Sequence, residues 1–260
     1  MITGIDHLVI AVQDVAAAAE ALEADLGLAF TGGGRHEAMG TYNRLAFLGE
    51  TYLELIGVFD AALVRSSRTF AVGNASLAYL EERGEGLATY ALCSDDVAGD
   101  VARLRAAGSP IGDLVAGARH RPDGEEVRWI TAFPELGPER APFLIEHVYE
   151  GAEWGPAARA ARAAFRHPHG GAVRLRRLEL PVGDPAAVAA EYATVLGLAA
   201  DADDVALAGD QALALRRAAD LPLPVVHLSA EAGVATPDLD LVRFGIRWVR
   251  PAEPGAQTAA

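Results

Sequence analysis

Imidazole and carboxylate side chains stand inside strand-like apolar runs at three places in this 260-residue sequence: His7 within Ile5 to Ala11, Glu54 within Thr51 to Val58, and Glu146 within Phe143 to Tyr149. Groups of these types move protons or hold cations, and a carboxylate set mid-strand among apolar neighbours needs a partner. Strand alternation puts His7 on one face with Ile5, Val9 and Ala11, and Glu54 on one face with Tyr52 and Ile56. Both glutamates could instead be plain ion-pair members satisfied by Arg44, Arg119 or Arg128, and His7 a satisfied strand histidine.

Other polar residues gather nearby in the sequence. His36 follows Gly32-Gly33-Gly34-Arg35, a turn that could admit a phosphate or carboxylate through backbone amides, or be only a turn. Thr41, Asn43 and Arg44 share a strand and could hydrogen-bond a polar ligand; Trp129 suits a pocket wall or core. His120 falls near a turn, and His167 and His169 look like solvent-facing loop histidines. No Gly-x-Ser-x-Gly elbow, Rossmann fingerprint or P-loop occurs. Cys93 is the single cysteine, which excludes an intrachain disulfide and any cysteine-held metal cluster.

The elements that must position these groups follow from an internal repeat. An offset of 170 residues carries Asp14 to Asp184 and Gly27 to Gly197, with the run Ile5 to Leu28 answered by Leu175 to Leu198. Asp at a helix N-cap, Pro185 in the first turn and Gly at the C-terminal cap make each copy a strand followed by a capped helix. A looser copy runs from Ala88 to Gly108, with Asp96 as cap. About three strands follow each helix, as at Asn43 to Leu48 and Thr51 to Val58. A fourth copy would have to fit in Val225 to Pro251, where strands are visible and hardly a helix. The expected fold is α+β: repeated βαβββ units forming curled mixed sheets around a concave pocket, with a degenerate second half. The expected division is a paired module at 1–150, a helical linker at 151–172, the degenerate half at 173–251 and a frayed tail at 252–260.

Composition narrows the partners. A net charge of −14 with scattered basic residues argues against nucleic acid. No apolar run approaches the roughly 18 residues of a membrane span, and the N-terminus lacks the pattern of a secretory signal, so a cytoplasmic location and no membrane partner are expected. The basic residues are all arginine and alanine is abundant, as in a GC-rich bacterial genome.

Gly4-Ile5-Asp6-His7-Leu8-Val9-Ile10-Ala11-Val12, Gly33-Gly34-Arg35-His36, Gly40-Thr41-Tyr42-Asn43 and Tyr52-Leu53-Glu54-Leu55 resemble the glyoxalase/bleomycin-resistance/extradiol-dioxygenase (vicinal-oxygen-chelate) superfamily, in its glyoxalase-like subgroup. Arg121-Pro122-Asp123-Gly124 and Pro142-Phe143-Leu144-Ile145-Glu146 fit the second half of the same module. The resemblance implies ligands from the first and last strand of each unit, which carries over to His7, Glu54 and Glu146, with Thr89, a poor ligand, at the fourth position. One imidazole and two carboxylates would suit Mn²⁺, Fe²⁺ or Zn²⁺, or there is no metal at all. It implies a metal-dependent lyase, isomerase or dioxygenase acting on a small oxygenated metabolite, with Glu54 or Glu146 moving the proton. The alternative is a metal-free protein that sequesters a drug or metabolite. His36, Thr41, Asn43, Arg44 and Trp129 are the expected substrate contacts, and a homodimer is compatible with the superfamily. In the second half the position of His7 becomes Arg177 and that of Glu54 becomes Ala214, so no ligand pair survives there.

Overall fold

The computed structural model of the chain describes residues 1–67, 71–135, 137, 141–201, 204–207 and 210–253; of the tail expected at 252–260, positions from 254 onward lie outside the described residues. The first unit is β1 (Ile2–Ala11), α1 (Val15–Leu26), β2 (Gly32–His36), β3 (Thr41–Leu48) and β4 (Thr51–Val58). Two helices that the repeat does not announce follow, α2 (Ala61–Ser66) and α3 (Ala71–Arg83). The second unit is β5 (Gly86–Ser94), α4 (Val97–Ala106), β6 (Ile111–His120), β7 (Glu126–Pro134) and β8 (Phe143–His147). Their strands run β1-β4-β3-β2-β6-β7-β8-β5 and close into a barrel. Closure leaves no edge and gives every strand one face toward an interior.

Two short helices, α5 (Gly151–Trp154) and α6 (Pro156–Ala164), lead to β9 (Arg174–Val182), α7 (Pro185–Leu196), β10 (Ala200–Asp201), β11 (Asp204–Val205) and β12 (Ala212–Arg217). The chain then adds β13 (Val225–Ser229), β14 (Leu239–Arg243) and β15 (Ile246–Arg250). These form a sheet of order β10-β11-β12-β9-β13-β15-β14. That is the barrel order read β2-β3-β4-β1-β5-β8-β7, with no counterpart of β6. Among the described residues no helix stands between β13 and β14, so the last unit has lost its helix and one strand, and the sheet stays open.

The helices begin and end where the sequence signals put them. Asp14 accepts hydrogen bonds from the amides of Ala16 and Ala17, Asp184 from those of Ala186 and Ala187, and Gly27 and Gly197 both adopt φ of 66°. Asp184→Ala is expected to cost about 1 kcal/mol of stability, the usual worth of such a cap. A urea midpoint unchanged from the parent would show that α7 does not depend on it.

Leu8, Leu22, Leu104, Leu178, Leu213 and Trp248 belong to one continuous core that fuses the outside of the barrel to the second sheet. A separate apolar cluster, with Val9, Ala11, Ile56, Ala91, Phe143 and Ile145, faces the barrel interior. Ile5 sits in the outer core, not beside His7 as strict alternation requires. The pairing of β1 with β5 passes from Ile5↔Leu92 directly to His7↔Ala91, so Asp6 is the extra residue of a β-bulge and the parity inverts there. The glycine run also differs from expectation: it is the strand β2, not an anion-cradling turn. A Cβ at Gly33 would stand 2.4 Å from the Asn43 carbonyl oxygen, and one at Gly34 2.2 Å from that of His120, so glycine here permits close backbone approach of β3 and β6.

Candidate functional site

The interior of the barrel collects polar groups from most of its strands. His7 enters from β1, His36 from β2, Asn43 from β3, Glu54 from β4, Arg119 from β6 and His147 from β8. Tyr52, Trp129, Phe133 and Phe143 make aromatic walls, and Glu153 and Trp154 of α5 complete the lining. The free space is about 70 Å³, on a measure by which one water needs roughly 10–15 Å³.

A chain of contacts runs through the buried acids and histidines. Asn43 Nδ2 donates to Glu54 Oε1 at 2.6 Å, and Glu54 Oε2 lies 3.5 Å from His7 Nε2. His7 Nδ1 is 2.6 Å from Asp6 Oδ1, which is 3.1 Å from His147 Nε2. The bulge makes this possible, because only an extra residue lets Asp6 and His7, consecutive in sequence, reach one another's buried partners. Burial alone would raise the Asp6 carboxyl, but His147 and His7 outweigh it and hold the group well below the usual carboxylate range. The His7 ring stacks on Tyr52 at 4.5 Å between centroids.

On the opposite side, His36 Nδ1 is 2.8 Å from Thr41 Oγ1, and its ring meets Trp129 edge-on. Burial, and then the Arg119 guanidinium, push His36 down to about 3, so it stays neutral. Arg119 is itself buried. It donates through Nη1 to the Gly33 carbonyl at 3.2 Å and through Nη2 to Glu153.

The structure brings His7, His36, Asn43, Glu54 and Trp129 together around this space. Thr41 is fully buried behind His36 and orients it without lining the cavity. Arg44 is exposed and donates to the Phe30 carbonyl at 3.0 Å, away from the interior. Glu146 points outward, accepting from the Val97 amide at the start of α4 at 2.9 Å. Phe143, Ile145 and His147 are the inward residues of β8, so His147 occupies the place assigned to its neighbour. Thr89 is buried but pairs with Val9; the residue opposite His7 is Ala91, which has no donor atom to offer. His167, expected in solvent, is buried and ties the Ala29 amide at 3.0 Å to the Phe47 carbonyl at 2.8 Å.

A family model for the glyoxalase-like domain matches residues 5–196, which takes in the barrel, both short helices and the start of the second sheet. The chain belongs to the glyoxalase-like domain family, within the vicinal-oxygen-chelate superfamily. No curated protein matches the sequence. Among solved structures, this glyoxalase-like chain is similar to a hypothetical protein from Staphylococcus aureus at a TM-score of 0.76 and 14% identity, over 95% of this chain and 98% of that one. That likeness shows one fold shared across barrel and open sheet. Methylmalonyl-CoA epimerase from Mycobacterium tuberculosis is similar over 56% of this chain and 87% of its own, at 23% identity and a TM-score of 0.41. The Streptomyces coelicolor epimerase in complex with methylmalonyl-CoA and NH4+ gives 24% identity and 0.40 over 56% of this chain and 93% of that one.

Metal ligation tests poorly against the side chains of this family member. His7 has one ring nitrogen on Asp6 and the other facing Glu54, His147 turns Nε2 to Asp6, and Glu146 is outside. Asp6 takes up His7 Nδ1 and His147 Nε2, Glu146 is turned away, and among the described residues no three of His, Cys, Asp and Glu form a group that could hold an ion. The set His7, Glu54 and Glu146 therefore does not fit Mn²⁺, Fe²⁺ or Zn²⁺. In the second sheet Val9↔Glu54 is mirrored by Glu179↔Ala214, which places Ala214 at the position of Glu54. Arg177, in the place of His7, pairs with Glu179 at 2.7 Å and Asp204 at 3.0 Å. No helix among the described residues is long and apolar enough to cross a membrane.

Proposed function

We propose that this glyoxalase-like protein binds a small oxygenated molecule inside the eight-stranded barrel and uses Glu54 to move a proton on it, as an isomerase or lyase does. The supporting observation is the buried series Asn43, Glu54, His7, Asp6. Asn43 fixes one oxygen of Glu54 and leaves the other toward His7 and the cavity, while Asp6 fixes the far side of the His7 ring. A carboxylate held by one oxygen, in a site with little water, is suited to take and return a proton at a carbon next to a carbonyl. The chemistry runs through this chain's own groups. Asn43 and His36 would hold the ligand's oxygens, and Trp129 and Phe143 would pack against its flat part.

The test is a panel of small 2-oxo and 2-hydroxy acids, phenols and enediols. Binding would be read by thermal shift, and exchange of ligand C–H protons with D2O by proton NMR. Ligands that stabilise the parent should stabilise Glu54→Gln similarly, while exchange falls by a factor of about 10² or more, the usual worth of a positioned base. Binding with no exchange in either protein would favour the second reading, a holding protein for the same class of molecule, which the filling of the cavity by Glu153 and Trp154 also favours. Hits unaffected by Asn43→Leu and Glu54→Leu would place the ligand elsewhere and end both readings.

A further inference from the structure

The cavity is small because two consecutive residues from outside the barrel are seated in it. Glu153 and Trp154 come from the single turn α5 and are both buried, at 4% and 3% exposure. The Glu153 carboxylate accepts from Arg119 and, at 3.3 Å, from Arg121. The Trp154 indole lies flat on His147, with centroids 3.6 Å apart and planes 11° apart, and its centroid is 5.8 Å from that of Tyr52. A carboxylate and a flat ring, side by side, thus satisfy a buried guanidinium and an aromatic wall.

The turn that delivers them is a single turn held by side chains and not by a sheet: the Ala152 amide donates to the Glu125 carboxylate at 2.9 Å, and Arg162 donates to the Glu153 carbonyl and covers the Trp154 ring. Gly151 at its start has φ of 72°, and Gly155 at its end approaches the Gly151 carbonyl so closely that a Cβ there would stand 2.5 Å from it. The turn belongs to neither sheet. Behind Trp154 lies a separate cleft of about 460 Å³, which Trp154 also lines together with Thr3, Asp6 and Tyr149. Trp154 thus stands between the barrel cavity and this second cleft. Arg119 also donates to the Gly33 carbonyl at 3.2 Å, a contact that does not involve Glu153.

We propose that Glu153 and Trp154 occupy the ligand's seat, and that the ligand is a flat carboxylate, aromatic or conjugated. Its carboxylate replaces Glu153 on Arg119, and its ring replaces Trp154 over His147. The inference rests on the barrel-site reading and deepens it by naming the charge and shape of what is bound. A buried guanidinium needs an anion beside it, and a ligand carboxylate can meet that need as Glu153 does. Guanidinium and carboxylate match in geometry, which gives the charge preference its direction.

The intact chain would be titrated calorimetrically with benzoate, benzamide and benzyl alcohol, beside the Glu153→Ala variant. Benzoate is expected to bind at least tenfold tighter than benzamide, and Glu153→Ala to bind benzoate at least tenfold tighter than the parent, because the competing carboxylate is gone. Amide hydrogen exchange over 150–155 in the unmodified chain should accelerate at saturating benzoate as the turn leaves its seat. That measurement decides the matter if Glu153→Ala does not fold. Equal affinity in the two proteins, or exchange unchanged at saturation, overturns the inference. Benzamide or benzyl alcohol binding as tightly as benzoate overturns it too, but leaves the barrel site standing provided Asn43→Leu abolishes that binding. Binding of any probe that survives Asn43→Leu counts against both.

Discussion

Glu153→Ala is expected to destabilise the protein by about 3–5 kcal/mol, the cost of leaving a buried charge without its partner. Arg119 is 4% exposed and stands on a barrel strand, so it cannot turn to water when Glu153 is removed. Arg119→Met should cost less, since Glu153 keeps Arg121, partly exposed and 3.3 Å away, and sits on a turn that can release it. The double variant Arg119→Met with Glu153→Ala should lose much less than the sum of the two, because removing both charges leaves no orphan. Urea unfolding of the four proteins at neutral pH measures this. Additive losses, or single variants within about 1 kcal/mol of the parent, would mean the pair is more hydrated than its burial indicates.

A second large effect is expected from acid. His36 is held neutral down to about pH 3 in the folded chain, whereas in the unfolded chain it takes a proton near its ordinary value of 6.5. Below pH 6.5 the unfolded state therefore binds a proton that the folded state refuses, and stability falls by up to about 1.4 kcal/mol per pH unit for one such group. His167, also pushed down by burial, acts with the same sign. Asp6 has the opposite ordering of protons. Its depressed carboxyl contributes stability that is complete above 3.8 and is lost only below that value, so the two effects occupy different windows. Between pH 6.5 and 4.5 the parent should lose about 2–3 kcal/mol more than His36→Gln does. Equal pH dependence in the two proteins would show that His36 is protonated in the fold.

Much of the scaffold can be read from the sequence because its signals are local. Asp14 and Asp184, Gly27 and Gly197 announce two helices at a fixed offset, and the weakness of the last unit is visible as strands without a helix. The second sheet even keeps the pairing that identifies Ala214 with Glu54. The site is less legible, because its residues are chosen by parity and by tertiary approach. Glu146 and His147 are neighbours, and which of them faces inward depends on which side of β8 meets α4. The Val97 amide claims Glu146. The inward set Phe143, Ile145 and His147 alternates as cleanly as the outward one, so the pattern signals two faces without saying which is the interior. Asp6 was hidden for a related reason: a bulge has no signature in a run as regular as Ile5 to Ala11. Arg44 looked inward by position but lies on the exposed parity of β3, next to Asn43 on the buried one. Glu153 and Trp154 lie in a segment whose alanine and arginine content resembles a connector, and nothing local marks them as side chains that reach back across the barrel mouth.

The open sheet gives the molecule an internal control. One framework is present twice in the same chain, exposed to the same solvent and drawn from the same genome, with a closed polar interior in one copy and an open face carrying arginine–carboxylate pairs in the other. Whatever both copies retain, such as an aspartate before the helix and a glycine after it, is what the framework asks for in order to form. Whatever only the closed copy has, such as histidine where its twin has Arg177 or glutamate where its twin has Ala214, is a requirement laid on top of folding. Grafting in the reverse direction, the alanine of the open copy in place of Glu54, would therefore strip the interior of its carboxylate with little disturbance to the architecture around it.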